Sequence, residues 1–206
     1  RRQNNMSLVF YVVGIVGFIA WIYLLYVLDR AQVPAWRYIA GSGGLFVFMM
    51  VYLRPVLTQP LASLVAACAG LFGSITGIFT SFFKYGVIFI SSRAGQISLQ
   101  IDFECSGVLE IMAFISLLAF FRAYSSFERV VVGIIGSVLL LLFNVIRIIT
   151  ISLIIYQFGT KSFYVAHTLI GRLVFYGLSV MLYFVVFTKT QIVRQKVGNF
   201  TYGHSE

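Results

Sequence analysis

Residues Val130–Phe158 read VVVGIIGSVLLLLFNVIRIITISLIIYQF, and this stretch decides the fold class. It is longer than the about 20 apolar residues a helix needs to cross a bilayer. Only Asn144 and Arg147 break its apolar character. Placing an arginine among leucines and isoleucines costs a few kcal/mol or more unless it is paired or hydrated, so an intramembrane arginine marks a functional site by default. Asn144 lies one helical turn before it, on the same face.

The rest of the chain agrees with a membrane solvent. Of 206 residues, 60% are hydrophobic and 10% charged, against roughly a quarter charged in a soluble domain. Too few polar residues remain to cover a water-soluble globule, which excludes a soluble enzyme, a disordered chain and a disulfide scaffold. The net charge of +9 would suggest nucleic acid in a soluble protein. Here the basic residues flank apolar runs, so they set topology and meet anionic headgroups, and no nucleic-acid partner is expected.

Six apolar segments are long enough to span: about 8–28, 36–53, 61–83, 106–121, 130–158 and 163–187. The third is rich in small residues (Ala66, Ala67, Gly70, Gly73, Gly77), which let helices approach closely and predict a place inside the bundle. Between the third and fourth, Ile97 to Glu104 alternates apolar and polar residues, the period of a half-buried strand. Val87–Ile90 precedes it across a turn-rich link, so a β-hairpin over about 87–103 is expected. The expected fold is thus an all-α polytopic membrane protein of about six helices with a small extracellular hairpin between helices 3 and 4. No internal repeat or linker is visible, so 1–206 reads as a single domain, and the first run lacks the small-residue end of a cleavable leader.

An even helix number puts both ends on one side. That side would hold Arg1, Arg2, Arg54, Arg122, Arg129, Lys189, Arg194 and Lys196. The other would hold Arg30, Arg37, Lys84, Arg93 and Lys161, with Asp29, Asp102, Glu104 and Glu110. The bias predicts both termini in the cytoplasm of a cell-membrane protein and the hairpin outside.

This topology brings Cys105, Arg147 and His167 to the outer face. A thiolate is the nucleophilic form of cysteine, favoured by a helix N-terminus or a nearby cation. An imidazole can take the thiol proton and return it to a leaving amine. A guanidinium can donate to the oxyanion of a tetrahedral intermediate but cannot act as a base. Each residue also has a plainer role. A cysteine is commonly an apolar packing residue, which suits Cys68 among its Ala and Gly neighbours. It suits Cys105 less, beside Asp102, Glu104 and Ser106. His167 reads equally as an interfacial hydrogen-bonder. Arg172 reads as a snorkelling residue or as a clamp for a substrate carboxylate. Glu104 and Glu110 are partners for these cations, and His204 belongs to a polar tail. Two cysteines and two histidines are too few for a disulfide framework, and no cofactor or metal is implied.

Glu104-Cys105-Ser106-Gly107 opening a helix, Asn144-x-x-Arg147 in the next and Ala166-His167 opening the one after resemble the exosortase/archaeosortase family of membrane transpeptidases. Within it the chain resembles the short G-type exosortases of Gram-positive bacteria, in which the run from Phe187-Thr188-Lys189 to Gly198-Asn199-Phe200 is also similar. The resemblance implies Cys105 as nucleophile, His167 as general acid/base and Arg147 as transition-state stabiliser, with Asn144, Glu104, Ser106 and Arg172 in support. It implies an exported protein substrate whose C-terminal sorting signal has a short motif, an apolar helix and a basic end. The product would leave a thioester by attack of an unknown amine or water. Two rivals stand beside this reading. One is a non-catalytic membrane module for surface-polymer assembly or transport. The other is a serine protease using Ser106 and His167, although no Gly-x-Ser-x-Gly elbow surrounds Ser106.

Overall fold

The computed structural model describes residues 2–92 and 95–192. Arg1, Arg93, Arg194, Lys196, His204 and the 193–200 part of the basic motif lie outside the described residues. Among the described residues there are six α-helices: α1 (Arg2–Arg30), α2 (Pro34–Tyr52), α3 (Arg54–Thr76), α4 (Val108–Phe120), α5 (Ser126–Phe158) and α6 (Gly171–Tyr183). Helix α6 is continued by a wider π-helical turn at each end, Val165–Ile170 and Phe184–Lys189. The chain is an all-α polytopic membrane protein with one small sheet. By length and composition, Val12–Arg30, Arg54–Thr76, Ser126–Phe158 and Val165–Ile192 can each cross a membrane.

The junction of α2 and α3 corrects the expected topology. Arg54-Pro55 was expected to end one span and allow the chain to reverse. Leu53 is instead in the right-handed helical region (φ −91°, ψ −28°). Its N–H bonds Met49 O at 2.8 Å, and its carbonyl accepts from Leu57 N–H at 2.9 Å. The helical path runs on through the proline, which kinks a helix and is tolerated in its first turn. Helix α3 therefore begins at Arg54 rather than 61 and continues away from α2.

Helix directions follow from the contacts. Helices α1 and α2 are antiparallel, with Phe18 on Phe48 (5.2 Å between ring centroids) and Trp21 Nε1 donating to Ala40 O at 2.9 Å. Helix α4 runs back along α2, with Phe120 against Gly41 and Ser116 Oγ 3.6 Å from Met49 Sδ. Helix α5 runs up from Tyr124, whose hydroxyl donates to Val186 O near the end of the α6 run. The start of α1 thus lies at the Cys105 end, and the last turn of α6 at the opposite end. The expected topology has the start of the first helix and the end of the last on one side; residues 193–206 lie outside the described residues. Arg54 changes sides with the kink: its guanidinium lies 4.0 Å from the Phe103 ring, two residues from Cys105. Asp29, Arg30 and Arg37 also change sides, for Asp29 pairs with both Arg37 and Arg122.

The sheet has three antiparallel strands, not two: β1 (Phe79–Phe82), β2 (Val87–Ser92) and β3 (Gly95–Gln100). Phe79 pairs with Ile90 and Ile90 with Ile97; Ser81 pairs with Ile88 and Ile88 with Leu99. That face is turned inward, with Ile88 and Ile90 fully buried. Thr80, Phe89 and Ser98 form the exposed face. Strand β1 occupies residues expected to finish the third helix. Gly77 ends α3 in a left-handed conformation (φ +68°), which permits the reversal. The small residues of α3 receive this sheet: a Cβ on Gly73 would fall 2.5 Å from Phe79 O, and one on Gly70 would meet the Ser81 side chain. A sheet with two open edges leaves backbone groups that only water can satisfy, so it belongs outside the hydrocarbon layer.

Two apolar cores result. One joins α3, the sheet and the second half of α5 through Val65, Ile88, Ile90, Ile148, Ile151 and Ile155. The other joins α4, the first half of α5 and the end of α6 through Phe114, Leu118, Leu140 and Leu182. The 33 residues of α5 extend about 50 Å, well beyond a hydrocarbon core of about 30 Å. Asn144 and Arg147 lie on α5 where the two cores meet.

Candidate active site

Strand β3 ends at Gln100, earlier than the alternating pattern suggested. Ile101 N–H bonds Gly86 O at 2.7 Å, and the chain then turns. The Cys105 N–H reaches the Asp102 side chain (Oδ1, 3.2 Å) and the Asp102 carbonyl (3.2 Å). An aspartate bonding the backbone three residues on is the local bond by which Asx residues displace regular structure. Ser106 Oγ donates back to Phe103 O at 2.9 Å. Gly107 then takes φ +77° and caps α4. Cys105 lies just ahead of the helix, not in its first turn, and is 1% exposed.

The three separated residues do meet. Cys105 Sγ is 3.1 Å from His167 Nε2. Arg147 Nη2 lies 3.7 Å from the same sulfur, and its Nη1 donates to Glu104 O at 3.2 Å. Asn144 Nδ2 donates to Cys105 O in a buried contact. Asn144 and Arg147, one turn apart on α5, therefore bond adjacent carbonyls of the cysteine turn. Arg147 is 3% exposed, with its guanidinium 5.8 Å from the Phe175 ring centroid. Its Nε and Asn144 Oδ1 have no hydrogen-bond partner among the described residues. His167 stacks on Phe163, four residues earlier (5.6 Å, 10° between planes).

Burial pushes the Cys105 thiol up from 9.0 to about 11. Arg147 pulls it down, while Asp102 and Glu104 push it further up. The nearby cation is present, but desolvation outweighs it.

The supporting residues divide. Glu104 pairs with Arg172 at 3.3 Å in an exposed ion pair. Such pairs are worth about 0–1 kcal/mol, so the contact fits a rim residue. Glu110 forms no ion pair among the described residues, and its Oε2 is buried without a hydrogen-bond partner. The Ser106 hydroxyl is used in the turn, on Phe103 O, which disfavours the serine reading. Sequence reasoning missed Asp102 and Phe163 as contributors, although the Asp-x-x-Cys and Phe-x-x-x-His spacings carried the signal. It also missed Phe175 and the Arg54–Phe103 contact, for which no local pattern exists.

A family model described as transmembrane exosortase (EpsH) matches residues 3–185. No curated protein and no solved structure matches the chain.

Proposed function

Because the chain belongs to the transmembrane exosortase family, we propose that it is a membrane-embedded cysteine transpeptidase or protease that cleaves a C-terminal sorting signal from exported proteins. Family membership supports a membrane transpeptidase-like role in general. The observation that carries the specific reading is the meeting of the Cys105 sulfur, the His167 imidazole and the Arg147 guanidinium on a buried turn.

Cys105 Sγ attacks the scissile carbonyl carbon as His167 Nε2 takes the thiol proton, so a resting neutral thiol is ionised only when substrate is present. Arg147 donates to the carbonyl oxygen as it becomes an oxyanion, its other nitrogen remaining on Glu104 O. The C–N bond breaks, His167 passes its proton to the leaving amine, and a thioester joins the new C-terminus to Cys105. An incoming amine or water then loses a proton to His167 as it attacks the thioester, and the proton returns to the departing sulfur. Asp102 and Asn144 position the cysteine turn, and Phe163 fixes the imidazole plane.

In this reading Cys105 faces the outer surface, where exported substrates arrive, and α1 starts on that side; the basic residues divide between the two ends, with Arg30, Arg37, Arg122, Arg129 and Lys189 opposite Cys105 and Arg54, Lys84, Lys161 and Arg172 on its side. The chain is of the short G-type in this reading. The test is processing of a tagged exported protein in cells carrying wild type or Cys105→Ala. Loss of processing with normal accumulation of the variant supports the reading; full processing refutes it.

A further inference from the structure

A basic cavity lies at the far end of the bundle from Cys105, in a region that the proposed chemistry does not use. It measures about 640 Å³ and is lined by Arg37, Arg122 and Arg129, with no carboxylate among the described lining residues. Asp29, which pairs with Arg37 and Arg122, stands outside it, in an adjoining recess. Arg129 is tied to the end of α4 through Ala119 O and to Tyr124 O, both at 3.2 Å, and its Nε is buried without a hydrogen-bond partner among the described residues. Arg37 and Arg122 thus share the Asp29 carboxylate, Arg129 is held by backbone carbonyls, and the cavity lining itself carries three guanidiniums.

A second observation bears on the ligand. Tyr38, in the wall of this cavity, also begins an apolar groove of about 390 Å³ between α2 and α4, running past Ile39, Gly43, Phe46 and Leu117. From Tyr38 to Phe46 the groove follows α2 for about 12 Å. It leads from the arginines toward the middle of the bundle. The 19 residues of α2 rise about 28 Å, close to the thickness of a hydrocarbon core. Trp36, 65% exposed at the arginine end, is of the type that anchors at the headgroup level. A basic cavity at headgroup depth that opens into an apolar groove matches an anionic head joined to a hydrocarbon chain.

We propose that this end of the protein holds an anionic glycerophospholipid. The phosphate is bound by Arg122 and Arg37, and one acyl chain lies in the α2–α4 groove. Guanidinium groups suit this role, because their planar donors pair with phosphate oxygens two at a time. The site is independent of the thiol chemistry and stands whether or not Cys105 acts on a peptide.

The test uses the whole protein purified in a phosphate-free detergent. Phosphatidylglycerol, phosphatidylcholine of the same chains and inorganic phosphate are added separately, with retention read by native mass spectrometry and protection by the unfolding midpoint. Arg122→Gln removes a rim charge without touching the contacts of Arg129 to α4. Gly43→Leu adds a side chain at the groove wall, where a Cβ meets nothing within 4 Å. Phosphatidylglycerol is expected to be retained over phosphatidylcholine, and Arg122→Gln to weaken that retention about fivefold. Gly43→Leu should weaken it too while leaving the inorganic phosphate response unchanged. Equal retention of the two lipids overturns the proposal. So does protection by inorganic phosphate equal to that by phosphatidylglycerol, which would mark a free-anion site. Unchanged phosphatidylglycerol retention in both variants overturns it as well.

Discussion

Alkylation of Cys105 should follow a titration displaced well above that of an ordinary thiol. Burial, outweighing the pull of Arg147, puts the thiol at about 11 against a reference of 9.0. At pH 7 the thiolate fraction is then about one in ten thousand rather than about one in a hundred. Only the thiolate reacts, so labelling of the substrate-free protein by iodoacetamide should be slow and rise tenfold per pH unit through pH 10. Two variants separate the causes. Asp102 raises the thiol pKa, so Asp102→Asn should move the midpoint down. Arg147 lowers it, so Arg147→Gln should move it up. The assay is the rate of mass gain on Cys105 across pH 7–11, with Cys68→Ala as the background. The position of the midpoint is the readout, because steric shielding slows the reaction equally at every pH. A midpoint at or below 9, or a rise with Asp102→Asn and a fall with Arg147→Gln, would refute a desolvated neutral thiol held in balance by Arg147.

Three further outcomes follow from the geometry. Arg147→Lys should reduce turnover by about 10²–10³, the usual loss for one oxyanion donor, because a single ammonium cannot serve both Glu104 O and the reacting carbonyl; single-turnover kinetics would show this, and near-normal rates would demote Arg147 to a structural part. Gly107→Ala should cost about 1–2 kcal/mol from its left-handed conformation alone, and its Cβ, 3.4 Å from Asn144 Nδ2, should also lower activity; denaturation and turnover would be measured together. Arg172→Gln should change stability by less than about 1 kcal/mol, as expected for an exposed pair, so a large loss of unfolding free energy would contradict its placement at the rim.

The parts of the fold legible in the sequence are those written in a local pattern. Helix α5 was visible from its unbroken apolar run, and Asn144 and Arg147 stood out because lipid tolerates them poorly. Strands β2 and β3 followed from alternation across a turn. Strand β1 was hidden because Phe79 to Phe82 is too short to show a period and adjoins an apolar helix; only Gly77 marked the break. The kink at Leu53 was misread because Arg-Pro after an apolar run looks the same whether a proline ends a helix or bends one. The difference lies in whether Leu53 keeps its two helical bonds, and no local pattern records that. The error carried through to the positions of Arg54, Asp29 and the start of α1. The meeting of Cys105, Arg147 and His167 survived it, because α4, α5 and α6 still alternate in direction below the cysteine turn. The burial that raises the thiol pKa was not legible at all, since it comes from α3, α5 and the sheet closing around Cys105.

The central claim is that Cys105 carries the substrate as a thioester. Hydroxylamine should intercept that thioester, so the measurement is mass spectrometry of the new C-terminus of a candidate exported substrate. The membrane-embedded protein is incubated with this substrate and hydroxylamine, using wild type and Cys105→Ala. The expected result is a hydroxamate at the cleavage site with the wild type and no cleavage with the variant. Cleavage at the same bond by Cys105→Ala, or a wild-type product that never carries hydroxylamine, would contradict it.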